Sequence, residues 1–303
     1  SRPFPELVLP PSSACNGTGT SMTAPSDPGT SPDPATEPWQ LGMFRKGLKK
    51  RQRLKCLRKL LGQIMPSERC LLLTCGDNNG AMNYFLRELG GTWSWADLED
   101  VCLDEMSELL GEPVIQAQED KLPFADATFD RIVSIDVHEH VDDPRIVNGE
   151  LCRILKPGGQ LIVTTPNGDE TKLAVRLKNA VGMSKEAYGH RRIGLTSGEI
   201  ESLMRADHVT PVRTLTFSRL ITELLELTIN FAYVKILSRK DRPDQDHDHV
   251  EIAPATSGQL QTVGKSYRLY SLIFPVYWLL SKLDGLLFFT EGYCVMVDGR
   301  RPA

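Results

Sequence analysis

The 303-residue chain predicts an α/β fold built on one open, largely parallel sheet. Three observations predict it. From Cys70 to Asn167 short apolar runs alternate with amphipathic stretches. The first run ends in a turn holding two glycines, Cys75-Gly76-Asp77-Asn78-Asn79-Gly80, and the second ends on an acid, Asp97. Strands that alternate with helices need crossover connections, and those place helices on both faces of a parallel sheet.

Taken in order, Arg69–Thr74 reads as a short strand that its composition buries. Ala81–Leu89 is the helix after the glycine turn, stopped by Gly90-Gly91. Thr92–Ala96 is a second strand leading to Asp97, residues 101–110 a helix, Val114–Ala117 a third strand and Arg131–Ile135 a fourth. Asp143-Pro144 supplies a capping acid and a proline at the first helical position, and Lys156-Pro157-Gly158-Gly159 closes that helix. Gln160–Thr165 is a fifth strand. Thr196-Ser197-Gly198-Glu199 is a capping box that opens a helix with Ile200, Leu203 and Met204 on one face. Val209–Phe217 and Gly292–Asp298 complete a seven-stranded, Rossmann-like sheet.

Ligands of such sheets bind outside the carboxyl ends of the strands, where the strand order reverses. The turn from Gly76 to Gly80 and the acid at Asp97 sit at two such ends. Glycines let the backbone approach a ligand, and a carboxylate about twenty residues later can accept both hydroxyls of a ribose. These features imply a nucleoside. A dinucleotide is the weaker choice, because the G-x-G-x-x-G turn needs its second glycine beside the pyrophosphate and Asn78 stands there.

Three further strings follow in order: Leu122-Pro123-Phe124 with Phe129-Asp130, then Asp136-Val137-His138-Glu139-His140-Val141-Asp142-Asp143-Pro144, then Arg153-Ile154-Leu155-Lys156-Pro157-Gly158-Gly159. With them, Leu71 to Asn167 resembles the class I S-adenosylmethionine-dependent methyltransferases, in the branch similar to the ubiquinone and menaquinone biosynthesis enzymes. The resemblance implies S-adenosyl-L-methionine as cofactor. It implies that Gly76, Asn78 and Gly80 border the methionine part and that Asp97 holds the ribose hydroxyls, with Thr74 a further cofactor-binding candidate. Leu98 would pack on the adenine, Gln118 or Glu119 would meet its amino group, and Asp136 would face the methionine or the substrate. The chain departs from the family pattern at Thr74, Asn78 and Gln118, where an acid, a glycine and an aspartate are usual.

A sulfonium methyl is already activated, so transfer asks mainly for in-line positioning and stabilisation of shifting charge. A hydroxyl acceptor also asks for a base. His190 and His140 are the candidates, with His138 beside them; packing is the competing role for each. His138-Glu139-His140 is a poor metal signal and no metal is expected. The run Asp244-Gln245-Asp246-His247-Asp248-His249 reads as a solvated loop.

The organisation expected is a Pro/Ser/Thr-rich disordered segment over 1–40, a basic amphipathic helix over 41–66, the cofactor-binding core over 67–216, an apolar helical insertion over 217–290, and a final strand and tail over 291–303. Nine cations and no acid lie between Arg45 and Lys59 in a chain whose net charge is −4. That helix either caps the pocket or lies on anionic lipid; nucleic acid is unlikely, since aromatics for base stacking are not interleaved. The insertion between the last two strands emerges on the cofactor side, where it forms a lid, an acceptor pocket or a membrane-facing surface. Pro275, Lys282 and Asp284 keep its second apolar stretch too short to span a bilayer. Seven scattered cysteines without metal-finger spacing read as reduced core thiols of a cytoplasmic protein; the basic helix and apolar insertion add, as an alternative, attachment peripheral to the inner face of a membrane. The reading is a methyltransferase for a small, lipophilic or lipid-linked acceptor, through oxygen before carbon. The alternative is a degenerate cofactor-binding or membrane-associated scaffold.

Overall fold

The structure, a computed structural model, describes residues 37–76, 78–182, 190–237 and 257–303. Most of the 1–40 segment, Asp77 in the glycine turn and the acidic run at 244–249 fall outside these residues. Seven strands form one sheet in the order β3-β2-β1-β4-β5-β7-β6. They are β1 (Ile64–Thr74), β2 (Gly90–Asp97), β3 (Val114–Gln116), β4 (Phe129–Ile135), β5 (Leu155–Pro166), β6 (Thr210–Phe217) and β7 (Cys294–Arg300). The first five run parallel, and β7 lies antiparallel between β5 and β6.

Alternation along the strands sorts side chains to the two faces. Leu72, Trp95, Val133, Ile162 and Met296 pack on one face under α1 (Trp39–Arg45), α2 (Leu48–Leu61), α3 (Ala81–Arg87) and α4 (Leu103–Leu110). Leu71, Leu73, Ile132, Leu161, Val163 and Val297 pack on the other under α5 (Pro144–Ile154) and α7 (Ser197–Ala206). A short α6 (Leu173–Ala180) precedes α7, and α8 (Leu220–Leu237) and α9 (Ser257–Ser281) separate β6 from β7, followed by a 3-10 turn at Lys282–Leu287. No helix among the described residues is long and apolar enough to cross a membrane.

The local signals act where side-chain chemistry dictates. Asp143 accepts from the Arg145 amide with Pro144 at the first helical position. Thr196 and Glu199 close a reciprocal capping box at the start of α7. Three boundaries differ from the sequence reading. The basic segment is two helices rather than one, because the carbonyl of Lys46 leaves the helical ladder to accept from the Tyr270 hydroxyl while its ammonium donates to Ser271 Oγ over 2.8 Å. Strand β1 begins five residues early, at Ile64, whose amide donates to the Leu89 carbonyl. Pro157-Gly158-Gly159 is a kink within β5 rather than a helix cap, with Gly158 at φ +76° and its amide bonded to the Arg301 carbonyl.

Helix α2 positions the site. Its last turn meets the amino edge of the sheet, where the Leu60 and Leu61 carbonyls accept from Gln160 and Arg131. Its first turns reach the carboxyl edge, where Gln52 bonds Ser218 and Thr222. Cys56, Cys70, Cys152 and Cys294 are free thiols. Leu72 lies fully buried in the middle of β1, whereas Met65 on the same strand is exposed. Leu72→Ala is expected to cost about 2–5 kcal/mol and Met65→Ala less than about 0.5 kcal/mol in urea denaturation.

Candidate functional site

A cleft opens at the carboxyl ends of β1 and β4, where the crossovers diverge to opposite sides of the sheet. It is lined by Phe44, Lys50, Arg53, Thr74, Cys75, Asn78, Asn79, Met82, Ile135 and Asp136. Asp136 holds φ at +50°, a left-handed conformation that aspartate tolerates better than most residues and that aims its side chain off the strand end. Its Oδ2 pairs with Arg53 over 2.5 Å, while its Oδ1 is buried and accepts no hydrogen bond among the described residues.

The glycine turn is built by short polar side chains. Asn78 accepts from the Gly80 amide and donates to Asn83 Oδ1 and, at 3.4 Å, to Thr74 Oγ1. Gly80 sits at φ +85°, and a Cβ there would lie 3.3 Å from the Met106 backbone, so glycine permits the close approach of α3 to α4. Asp97 is turned inward. Its carboxylate accepts from Thr74 Oγ1 at 2.5 Å, the Gly76 amide at 2.7 Å and the Glu99 amide at 2.9 Å. Burial pushes its carboxyl up and these donors oppose that. Asp97 thus orders the turn, and the acid standing over Gly76 is Glu99, whose Oε2 would meet a Cβ on that glycine at 2.2 Å.

The remaining cofactor candidates lie along the same edge. Leu98 is half-buried against the core beneath α5. Gln118 and Glu119 occupy the tight turn between Ala117 and Lys121, next to the Asp97 carbonyl that receives the Ala117 amide. Neither residue borders the cleft.

His140 and His190 come together with ring centroids 4.5 Å apart. Burial, helped by His140, lowers the His190 imidazole to about 4, so its ring is neutral at pH 7. Glu139, fully buried, accepts from Thr165 Oγ1; burial and the Asp136 charge push its carboxyl well above the usual range. Glu139, His140 and His190 each offer one donor atom within 4.8 Å of the others, a set that could hold a cation. Proximity on the strand end, which no spacing rule reveals, is what joins residues 50 positions apart.

Three helices meet at one buried carboxylate. Glu223 of α8, wholly buried, receives Lys49 of α2 at 2.7 Å, Lys178 of α6 at 2.6 Å and Ser218 Oγ at 2.6 Å. Burial raises its carboxyl, but the two lysines outweigh that and hold it at about 2. Burial and the Lys49 charge together lower Lys178, which also faces His190. Arg53, Lys49 and Lys178 were not singled out individually by the sequence; the basic run marked two of them only as part of a charged face.

Two measurements follow from this electrostatic arrangement. Glu223→Gln leaves two ammonium groups facing each other without their carboxylate and is expected to cost about 3–5 kcal/mol in denaturant titration. His138 is fully buried, and burial, with a smaller push from Arg192, lowers it from 6.5 to about 4. An unfolded chain binds that proton first, so its share of stability is complete above pH 6.5 and is lost as pH falls toward 4. The total is about 3 kcal/mol, and His138→Gln should flatten the slope of stability against pH in that window.

Comparison with known proteins agrees with this geometry. Residues 73–163 match the methyltransferase domain family. The chain is similar to the ubiquinone biosynthesis O-methyltransferase of Xylella fastidiosa, 45% identical over 53 residues, which is 18% of this chain and 22% of that one. The match therefore spans about a fifth of that relative's length. Among solved structures, the geranyl diphosphate C-methyltransferase of Streptomyces coelicolor, in complex with geranyl diphosphate, Mg2+ and S-adenosyl-L-homocysteine, aligns at a TM-score of 0.51 and 15% identity, covering 83% of this chain and 77% of that one. The [4+2]-cyclase SpnF aligns at 0.50 and 16% identity, over 84% and 82% of the two chains. Residues 73–163 thus match the methyltransferase domain family, and they lie in a seven-stranded sheet whose fold is that of the solved structures above.

Proposed function

We propose that this protein transfers a methyl group from S-adenosylmethionine to a small lipophilic acceptor, through oxygen in preference to carbon. The observation that carries the reading is the unsatisfied Asp136 Oδ1 in a cleft that also presents Lys50 and Arg53. The methionine portion of the cofactor carries an ammonium and a carboxylate. Asp136 would receive the first, and Lys50 and Arg53 the second. A buried carboxylate oxygen without a donor is costly, and a cationic ligand relieves that cost.

The bound cofactor supplies an activated methyl. The chain's own part is to hold the acceptor in line and to take its proton. The neutral His190 ring, next to His140 and within reach of the Asp136 charge, can accept a hydroxyl proton. This favours oxygen over carbon, in keeping with the O-methyltransferase likeness; the C-methyltransferase among the structural neighbours keeps carbon as the second choice. Greasy helices α8 and α9 beside the cleft favour a lipophilic acceptor. Leu224, Leu225 and Leu227 of α8 are only partly buried.

The test is calorimetric titration with S-adenosylmethionine and then assay of S-adenosylhomocysteine release with hydroxylated, prenylated or acylated aromatics. Asp136→Asn is expected to weaken cofactor binding at least tenfold. His190→Ala should leave cofactor affinity intact and lower kcat by about 10²-fold or more, the usual scale of a general base. One observation favours the second reading, a cofactor-binding scaffold. Asp97 faces inward and Arg53 already occupies Asp136, so the cleft is partly closed. Saturable binding without turnover across the whole acceptor panel would establish the scaffold instead.

A further inference from the structure

Over its described side chains helix α9 is apolar on two opposite sides, and among the described residues only one side has a partner. Inward, the Tyr270 hydroxyl bonds the Lys46 carbonyl, the Tyr277 hydroxyl meets Thr228 of α8 at 3.3 Å, and Phe274 and Trp278 receive the Arg51 guanidinium at 5.9 and 6.0 Å from their ring centroids. Outward, Leu272, Val276, Leu279 and Leu283 recur at helical spacing and are exposed, and the row continues through Leu286, Phe288 and Phe289. Leu272 and Phe288 are each 77% exposed, Phe289 73% and Leu286 69%. A helix that is apolar all round is normally buried, and a contiguous patch of this kind on a water-soluble surface marks an interaction site.

The patch is held firmly. The Asp284 carboxylate is turned inward and accepts from the Arg219, Ile221 and Thr222 amides, which anchors the 3-10 turn to the start of α8. Arg219 then donates to the Thr290 and Phe288 carbonyls. These polar contacts fix Leu283, Leu286, Phe288 and Phe289 pointing away from the body. On the other flank, Lys172 bonds the Glu291 carbonyl, so the exposed Leu173 of α6 begins beside the same turn.

Charge selects the occupant. Between Tyr270 and Thr290 Asp284 is the only acid, and it is buried in the cap just described. The exposed cations Lys282 and Arg51 lie against Trp278, and Arg51 continues on α2 into the exposed Lys55 and Lys59. Apolar side chains among aromatics and lysine or arginine, with the exposed Glu291 at their border paired to Lys172 at 3.6 Å, match the interface of an anionic bilayer. A second copy of the chain would bring the same cations against these cations. We propose that the outer face of α9 and the turn after it dock on an anionic lipid surface. The further point, that docking offers the cleft to membrane-dissolved acceptors, rests on the methyltransferase reading.

Vesicle flotation of the full chain decides this, using phosphatidylcholine vesicles with and without phosphatidylglycerol at low and high salt. The variants are the double change Phe288→Asp with Phe289→Asp, the separate pair Leu272→Asp with Leu279→Asp, and Met65→Asp as an exposed apolar position on the amino edge. Calorimetry with S-adenosylmethionine and sedimentation velocity accompany each. The expected result is flotation on anionic vesicles that weakens with salt. It should fall at least tenfold in either double variant and stay unchanged in Met65→Asp, with cofactor affinity retained throughout. The proposal is overturned if the intact chain does not float or if both folded double variants float as well as it does. It is also overturned if the intact chain is a dimer that the variants convert to monomers without vesicle binding, which would make the patch a self-interface. Flotation without cofactor binding would uphold the docking surface and sink the methyltransferase reading alone.

Discussion

The packing of three helices that the sheet topology does not place depends on one buried carboxylate. Helices α2, α6 and α8 come from three distant parts of the chain, and none of them is placed by the crossover rule that fixes α3, α4 and α5. Glu223 holds all three by binding Lys49 and Lys178 at once. Burying a carboxylate costs several kcal/mol, and a single ion pair seldom recovers it. Two lysines and the Ser218 hydroxyl together do, which is why the Glu223 carboxyl stays ionised at about 2 although it is wholly buried. The arrangement also sets Lys178 against Lys49, and the strain appears as a lowered Lys178 facing His190. Structure and candidate chemistry are coupled at this point, because the same charges that hold these helices tune the His190 imidazole.

The sheet was legible because its signals are local and redundant. Apolar runs such as Leu71-Leu72-Leu73 and Leu161-Ile162-Val163 are buried on both faces and cannot be anything but central strands. Capping chemistry at Asp143-Pro144 and Thr196 to Glu199 needs only adjacent residues, and it occurs where expected. The features that escaped prediction depend on partners far along the chain. Nothing near Lys46 shows that Tyr270 will take its carbonyl and break the helix. The basic run from Arg45 to Lys59 reads as a uniform charged face, yet it divides by function. Lys49 enters the Glu223 cluster, Arg53 meets Asp136, and Lys55 and Lys59 stay in solvent.

The acid at the end of β2 shows the same limit at the site itself. Spacing correctly brings Asp97 to the strand end beside Thr74, where the two strands are in register. It cannot say which way the side chain turns. The Thr74 hydroxyl and two free amides at the turn draw the carboxylate inward, and Glu99 is left over Gly76. A threonine in place of an acid at residue 74 is what makes this possible: it supplies a donor to Asp97 where a carboxylate would have repelled it.

The Arg53–Asp136 pair completes the argument about what the cleft accepts. Both side chains are mostly buried and each neutralises the other, so removing either partner would leave a desolvated charge. A ligand with a single charge can enter only by breaking the pair and stranding one member. A ligand that carries an ammonium and a carboxylate on the same carbon meets both members, turns one ion pair into two, and gives Asp136 Oδ1 the donor it otherwise lacks. On the proposed function, the pair would act as a filter for an amino-acid moiety. Because Arg53 rides on α2, admitting that moiety bears on the helix that also carries Lys49 to Glu223 and Arg51 to the ring of Trp278. Helix α2 in this way contacts the cleft, the Glu223 cluster and the inner side of α9.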